Sequence, residues 1–223
     1  MINKNIDEIC DKIKTQGYFV CKNYVSNIEK LDNEFENIIN KPNKFDRNTG
    51  KNKCLRTNLN NNYLNKTNFP EIHQNLCNNF IQEICKKNGI NYAKDGKDTF
   101  IHKDYECLNT NNTYPHVDYD RKLKFYLCVS DMDTTNGCFK VLPNKLDMVN
   151  EMRKSRGRRN NIFNENHKLY NGIQHIEISE LTPLQAKAGD LIIFDTNCIH
   201  AGGDKFEDDK FRKVIRLHLV LNN

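Results

Sequence analysis

Apolar residues near the start of the chain recur at intervals of three and four. Ile6, Ile9, Cys10 and Ile13 predict an amphipathic helix. Gly17 ends it, and Tyr18, Phe19 and Val20 read as a short strand. Ser26 stands three residues before Glu29, the spacing of a capping box. Behind it Ile28, Leu31, Phe35, Ile38 and Ile39 form the stripe of a second helix, which Pro42 stops. Residues 43–68 carry few apolar anchors and read as a loop. Pro70 and the run Ile72, Leu76, Phe80, Ile81 and Ile84 predict one more helix, ending near Gly89.

From there the period changes. Stretches at 98–107, 112–118, 122–130, 137–142, 173–179, 190–195 and 212–221 read as strands. Asn136-Gly137, Pro143-Asn144, Asn171-Gly172 and Gly189-Asp190 supply turns between them. Many strands at short spacing after a helical start predict a mainly β fold, a barrel or sandwich buttressed by helices. A single domain fits the 223 residues. Residues 1–92 would be its mostly helical part and 93–223 its β core. The polar insertion 144–172, with one helix near 146–153, reads either as a lid or as a disordered decoration.

Composition narrows the picture little. Hydrophobic residues make up 37% of the chain. Asn-rich tracts such as 58–62 lie between apolar periodic segments and read as loops of a folded domain. Net charge is +5, from 34 basic and 29 acidic residues. That surplus is too mild and too dispersed for a nucleic-acid footprint. The one dense basic run, Arg153, Lys154, Arg156, Arg158 and Arg159, reads as a solvated face, with a polyanionic partner as the alternative. No apolar run is long enough for a membrane span. The nine cysteines form no C-x-x-C pair, and the N-terminus is polar from the start. Both features predict buried free thiols and a reducing, cytoplasmic or other intracellular compartment.

Candidate chemistry centres on Tyr114-Pro115-His116-Val117-Asp118. On an extended chain, residues two apart share a face, so His116 and Asp118 point the same way. His200 follows the apolar strand Leu191 to Phe194 and can supply a third ligand. Two imidazoles and one carboxylate suit non-haem iron(II) and leave one side of the metal open. The alternative makes His116 a loop histidine beside a solvated Asp118. His73 and His167 read as surface, and His102, His175 and His218 as packing or supporting residues on strands.

Several blocks, in order and covering nearly the whole chain, resemble the phytanoyl-CoA dioxygenase family of iron(II)/2-oxoglutarate oxygenases. They are Gln16 to Val20 and the helix Asn23 to Ile39; Tyr114 to Asp118; Leu123 to Asp133 with Asn136-Gly137-Cys138-Phe139-Lys140-Val141-Leu142-Pro143; Ala188 to Asp195; His200-Ala201-Gly202-Gly203; and Phe211-Arg212-Lys213. The resemblance implies a double-stranded β-helix, a cupin-like jelly roll. It implies a dioxygenase that hydroxylates a small organic molecule and releases succinate and CO2. The cofactors would be Fe(II) and 2-oxoglutarate, with O2 as co-substrate and ascorbate as reductant. His116, Asp118 and His200 would be the metal ligands. Arg212 would hold the far carboxylate of 2-oxoglutarate, with Arg216 as its rival. These two arginines share a strand face with Val214 and His218, whereas Lys213, Ile215, Leu217 and Leu219 read as core. Tyr126, with Lys124 beside it on the same strand, is a helper at the keto acid, and Tyr114 a wall of the substrate pocket. Asn144-Lys145-Leu146 departs from the family's Gly-Ser-His and bears on substrate choice. The carboxylate Asp118 argues against halogenation. Other readings stay open: an inactive β-helix binding protein, a cupin-like metal enzyme without 2-oxoglutarate, and a hydroxylase of protein or nucleic acid. The substrate and the oligomeric state are also open, the helical start being an interface for a homo-oligomer or a cover for a sheet.

Overall fold

The computed structural model describes residues 5–40, 54–59, 65–90, 92, 97–105, 115–118, 120–156, 176–203 and 207–221. Cys107, Tyr114, His167, Asn171-Gly172, His175 and the greater part of the insertion, residues 157–172, lie outside them. The fold is mixed α/β, with helices at the N-terminal end and two β-sheets. Helix α1 (Ile6–Gln16) ends at Gly17, whose φ of 93° is open to glycine without strain. Strand β1 (Tyr18–Cys21) leads to α2 (Ile28–Ile39). The cap of α2 is Asn27, whose side chain accepts from the Lys30 amide, and not the expected Ser26. An Asn one residue closer to the helix offers a side-chain acceptor to an exposed amide of the first turn.

Three further expectations are corrected. Within the stretch read as a loop, β2 (Cys54–Leu59) pairs antiparallel with β3 (Lys97–Asp104). Polar alternation hid it, because an edge strand is held by its partner's backbone and needs little apolar content. The helix expected to run on from Pro70 is two: α3 (Pro70–Leu76) and α4 (Asn79–Lys87). Asn78 separates them, and its side chain accepts the Ile81 amide as a new N-cap. The segment expected as a strand at 173–179 carries, where described, a 3-10 turn at Ile178–Glu180.

The remaining elements are β4 (Lys122–Cys128), β5 (Lys140–Leu142), α5 (Leu146–Arg156), β6 (Thr182–Pro183), β7 (Leu191–Asp195), β8 (Ile199–Ala201) and β9 (Arg212–Val220). The larger sheet runs β1-β7-β4-β9-β3-β2, and the smaller β6-β5-β8. Strand alternation gives the large sheet two apolar faces. Phe125, Leu127, Ile193, Ile215 and Leu217 pack with Ile9, Ile13, Leu31, Phe35, Ile72, Leu76, Ile81 and Ile84 of the helices, which cover the outer face. Tyr126, Cys128, Ile192, Phe194 and Val214 point inward, against Phe139 and Val141 at the small sheet. Asp190 joins the layers at one corner. It is buried and accepts from the amides of Asn23 and Lys187 and from Lys22. It is therefore a structural turn residue, as its Gly189-Asp190 position predicts. The seven described cysteines whose side chains are placed are all free thiols. Among the described residues no helix is long and apolar enough to cross a membrane.

Candidate metal centre

His116 and His200 are antiparallel partners. Each amide donates to the other's carbonyl at 2.8 Å. In such a hydrogen-bonded pair both side chains leave on the same side, and the two rings lie 4.4 Å apart between centroids. Two residues on, Asp118 returns to that face. One ligand atom from each of His116, Asp118 and His200 lies within 4.8 Å of the others. Asp118 Oδ1 is 3.9 Å from His116 Nε2 and 3.5 Å from His200 Nε2.

The tautomer of His200 follows from its neighbour. Its Nδ1 is 2.8 Å from the Cys198 carbonyl. A carbonyl only accepts, so Nδ1 carries the proton and Nε2 presents a lone pair to the centre. Phe139 and Phe194 stand with ring centroids 5.4 Å from that of His200 and form a dry wall. The segment before His200 is tied down as well. Thr196 Oγ1 accepts the Lys122 amide, and Asn197 Nδ2 donates to Asn150 Oδ1. These two residues order the ligand's loop.

Lys124 is an addition that sequence reasoning placed nearby without a role. Its Nζ lies 2.5 Å from Asp118 Oδ2, and only 8% of the residue is exposed. The two oxygens of Asp118 are thus divided, one toward the imidazoles and one toward the ammonium. Burial alone would raise the Asp118 carboxyl, but the Lys124 ammonium, the largest opposing influence, holds the group well below the usual carboxylate range. Alternation on β4 was the signal, since Lys124 and Tyr126 must share the inner face.

The other candidates also lie on that face. Tyr126 packs edge-on to Phe194 and Phe139. Arg216 lies over the Tyr126 ring at 4.8 Å. Arg212 is buried and directed at Asp104, with Nη2 at 2.6 Å and Nε at 3.1 Å from Oδ2, and its Nη1 donates to the Gly137 carbonyl. Asp104 was not anticipated; nothing in its local sequence marks it, because it is set opposite Arg212 only by the β3–β9 register. Its carboxyl would rise on burial but is held well below the usual range by Arg212, His102 and Arg216. His218 is driven well down by burial together with Lys124 and Arg216, so its imidazole is neutral.

The family model described as phytanoyl-CoA dioxygenase (PhyH) matches residues 13–214. No curated protein sequence matches the chain. Among solved structures, it is similar to the epimerase SnoN in complex with Fe3+, alpha ketoglutarate and nogalamycin RO. That match has a TM-score of 0.63 at 10% identity and covers 96% of this chain and 83% of that one. EvdO2 from Micromonospora carbonacea var. aurantiaca gives a TM-score of 0.63 at 11% identity over 99% and 93% of the two chains. AviO1 from Streptomyces viridochromogenes Tue57 gives 0.58 at 10% identity over 99% and 96%. At such identities the likeness establishes the fold.

Proposed function

Because the chain belongs to the phytanoyl-CoA dioxygenase family, we propose that it is an iron(II)- and 2-oxoglutarate-dependent oxygenase that hydroxylates a small organic molecule. The two sheets are then the halves of a double-stranded β-helix, with the metal centre between them. The observation that carries the reading is the convergence of Asp118 Oδ1 with two imidazole Nε2 atoms, 3.5 and 3.9 Å away. The donor set fits the ion. Two neutral nitrogens and one carboxylate oxygen suit iron(II), and three protein ligands leave places for a bidentate keto acid and O2. Iron(II) held there would supply oxidation of the substrate by O2, coupled to decarboxylation of 2-oxoglutarate to succinate and CO2.

The chain's own residues do the positioning. The backbone pair His116–His200 sets both rings, and the Cys198 carbonyl keeps the His200 lone pair inward. Lys124 holds Asp118 Oδ2, leaving Oδ1 to ligate. Phe139 and Phe194 keep water from one side of His200. Inward-facing cations on the large sheet await the far carboxylate of the keto acid. A neighbour solved with Fe3+ and alpha ketoglutarate, and another solved with 2-oxoglutarate, support the same pair of cofactors here. Since SnoN is an epimerase, the product is best read by mass, with a gain of one oxygen expected for hydroxylation. Ascorbate is the expected reductant, and a reducing compartment suits the free thiols.

Protein supplied with iron(II), ascorbate and 2-oxoglutarate should release succinate slowly even without substrate. His116→Ala and Asp118→Ala should abolish that release. Full succinate production by both variants would overturn the assignment, and its absence in the wild type would favour an inactive binding protein.

A further inference from the structure

The metal ligands have a back as well as a front. His116, Asp118 and His200 face the centre, so strand alternation turns Val117 and Ile199 the other way. Leu142, the cross-strand partner of Ile199, turns with them. Val117 and Ile199 are fully buried. They pack with Val149 of α5 in a small apolar cluster, separate from the two larger cores. Leu142, Met148 and Ile176 lie against the same cluster. Met148 and Val149 stand just inside the polar insertion, and Ile176 just beyond it. Both flanks of the insertion therefore close on the rear of the ligand strands.

Helix α5 makes this contact with one face, because Leu146, Val149 and Asn150 stand at i, i+3 and i+4. A Cβ built on Gly17 would lie 3.0 Å from Leu146 Cδ1 and 2.6 Å from Cys198 Cβ, so Leu146 and Cys198 meet at the same turn. Val149 takes the rear of the ligand strands. Asn150 Oδ1 accepts from Asn197 Nδ2 at 2.6 Å, and Asn197 is wholly buried. The two residues before Asn197 are tied to the start of β4 and its approach, Asp195 to Arg121 and Thr196 to Lys122. Asn197 is tied to the helix instead. Next along the chain is Cys198, whose carbonyl accepts the His200 Nδ1 proton.

On the oxygenase reading above, we propose that α5 is the back plate of the metal centre, with Asn150 and Val149 as its positioning residues. Asn150 holds the Asn197 side chain and so fixes the loop that carries the Cys198 carbonyl. Through that carbonyl it sets the direction of the His200 lone pair. Val149 fills the space behind Val117 and Ile199, and a filled space keeps the ligand strands from retreating. The insertion is thereby coupled to the metal: whatever shifts α5 shifts His200.

Metal binding, read in two ways, tests this. Competition with a chromogenic chelator gives Mn(II) affinity, and the ligand-field bands of the Co(II) form report the geometry of the centre. Asn150→Leu keeps the size and removes the acceptor. It should shift the Co(II) bands and weaken Mn(II) about 3- to 10-fold, less than the roughly 10- to 100-fold of a direct ligand partner because it acts through one more residue. Asn150→Asp keeps an oxygen toward Asn197 and should recover most of the affinity and the bands. Val149→Ala leaves Asn150 in place and should weaken Mn(II) in the same direction. Ile84→Val truncates a buried side chain of α4, among the helices on the outer face; it should lower the melting temperature and leave affinity and bands as in the wild type. Wild-type affinity and bands in both Asn150→Leu and Val149→Ala would overturn the inference alone, as would an equal change in Ile84→Val. No metal binding by the wild type would overturn the oxygenase reading and the inference with it.

Discussion

Asp104→Asn is the most informative single change outside the metal ligands. The carboxylate is 6% exposed, and its Oδ2 accepts from Arg212 Nη2 at 2.6 Å and Nε at 3.1 Å. The amide keeps the volume and removes the charge, which strands a buried guanidinium. Breaking one partner of a buried pair costs about 3–5 kcal/mol. At roughly 2–4 °C per kcal/mol for a domain of this size, the melting temperature should fall by about 6–20 °C. Circular dichroism during heating and urea titration both read this. The direction with pH is also set. Asp104 titrates well below its usual value when folded, so in acid the unfolded chain binds a proton first. The stabilisation is complete above the unfolded pKa of about 3.9 and fades as pH falls through the lower folded value. The gap between wild type and variant should therefore be constant near neutrality and narrow below about pH 4. A drop under about 1 kcal/mol at pH 7 would refute the structural role given to Arg212.

Three further outcomes follow from the same geometry. Lys124→Met removes a cation from beside the metal carboxylate and leaves Asp118 short of a partner in the metal-free protein, so Mn(II) affinity should rise about tenfold; competition with a chromogenic chelator measures it, and equal or weaker binding would contradict the placement. Loading with Mn(II) at a hundred times its dissociation constant should stabilise the native state by about 2.7 kcal/mol, seen as a higher melting temperature that a chelator reverses and that His116→Ala lacks. Gly17→Ala would put a methyl group 2.6 Å from Cys198 Cβ at a φ of +93° and should destabilise by about 2–4 kcal/mol. Because the Cys198 carbonyl orients His200, the Gly17 variant should also bind metal less tightly, which chelator competition reports; a wild-type melting curve would count against the close approach.

Local pattern carried the elements that obey a period and the ligands that lie on one extended segment. The stripe Leu31, Phe35, Ile38 and Ile39 makes a helix buried on one side because 3.6-residue spacing leaves no other choice. Gly17 and Gly137 mark turns because their positive φ values admit glycine at no steric cost. His116 and Asp118 share a face by strand alternation alone. What lay beyond the sequence was every feature set by which strands become neighbours. β2 is held by backbone bonds to β3, which leave no apolar trace. Alternation put Arg212, Arg216, Lys124 and Tyr126 on one face but said nothing of what each would meet. The register of β3 on β9 set Asp104 against Arg212, and that of β4 on β9 brought Lys124 level with His218. Period depends on a residue's own chain; register depends on the whole packed sheet, so what each of these side chains meets was decided by the tertiary structure.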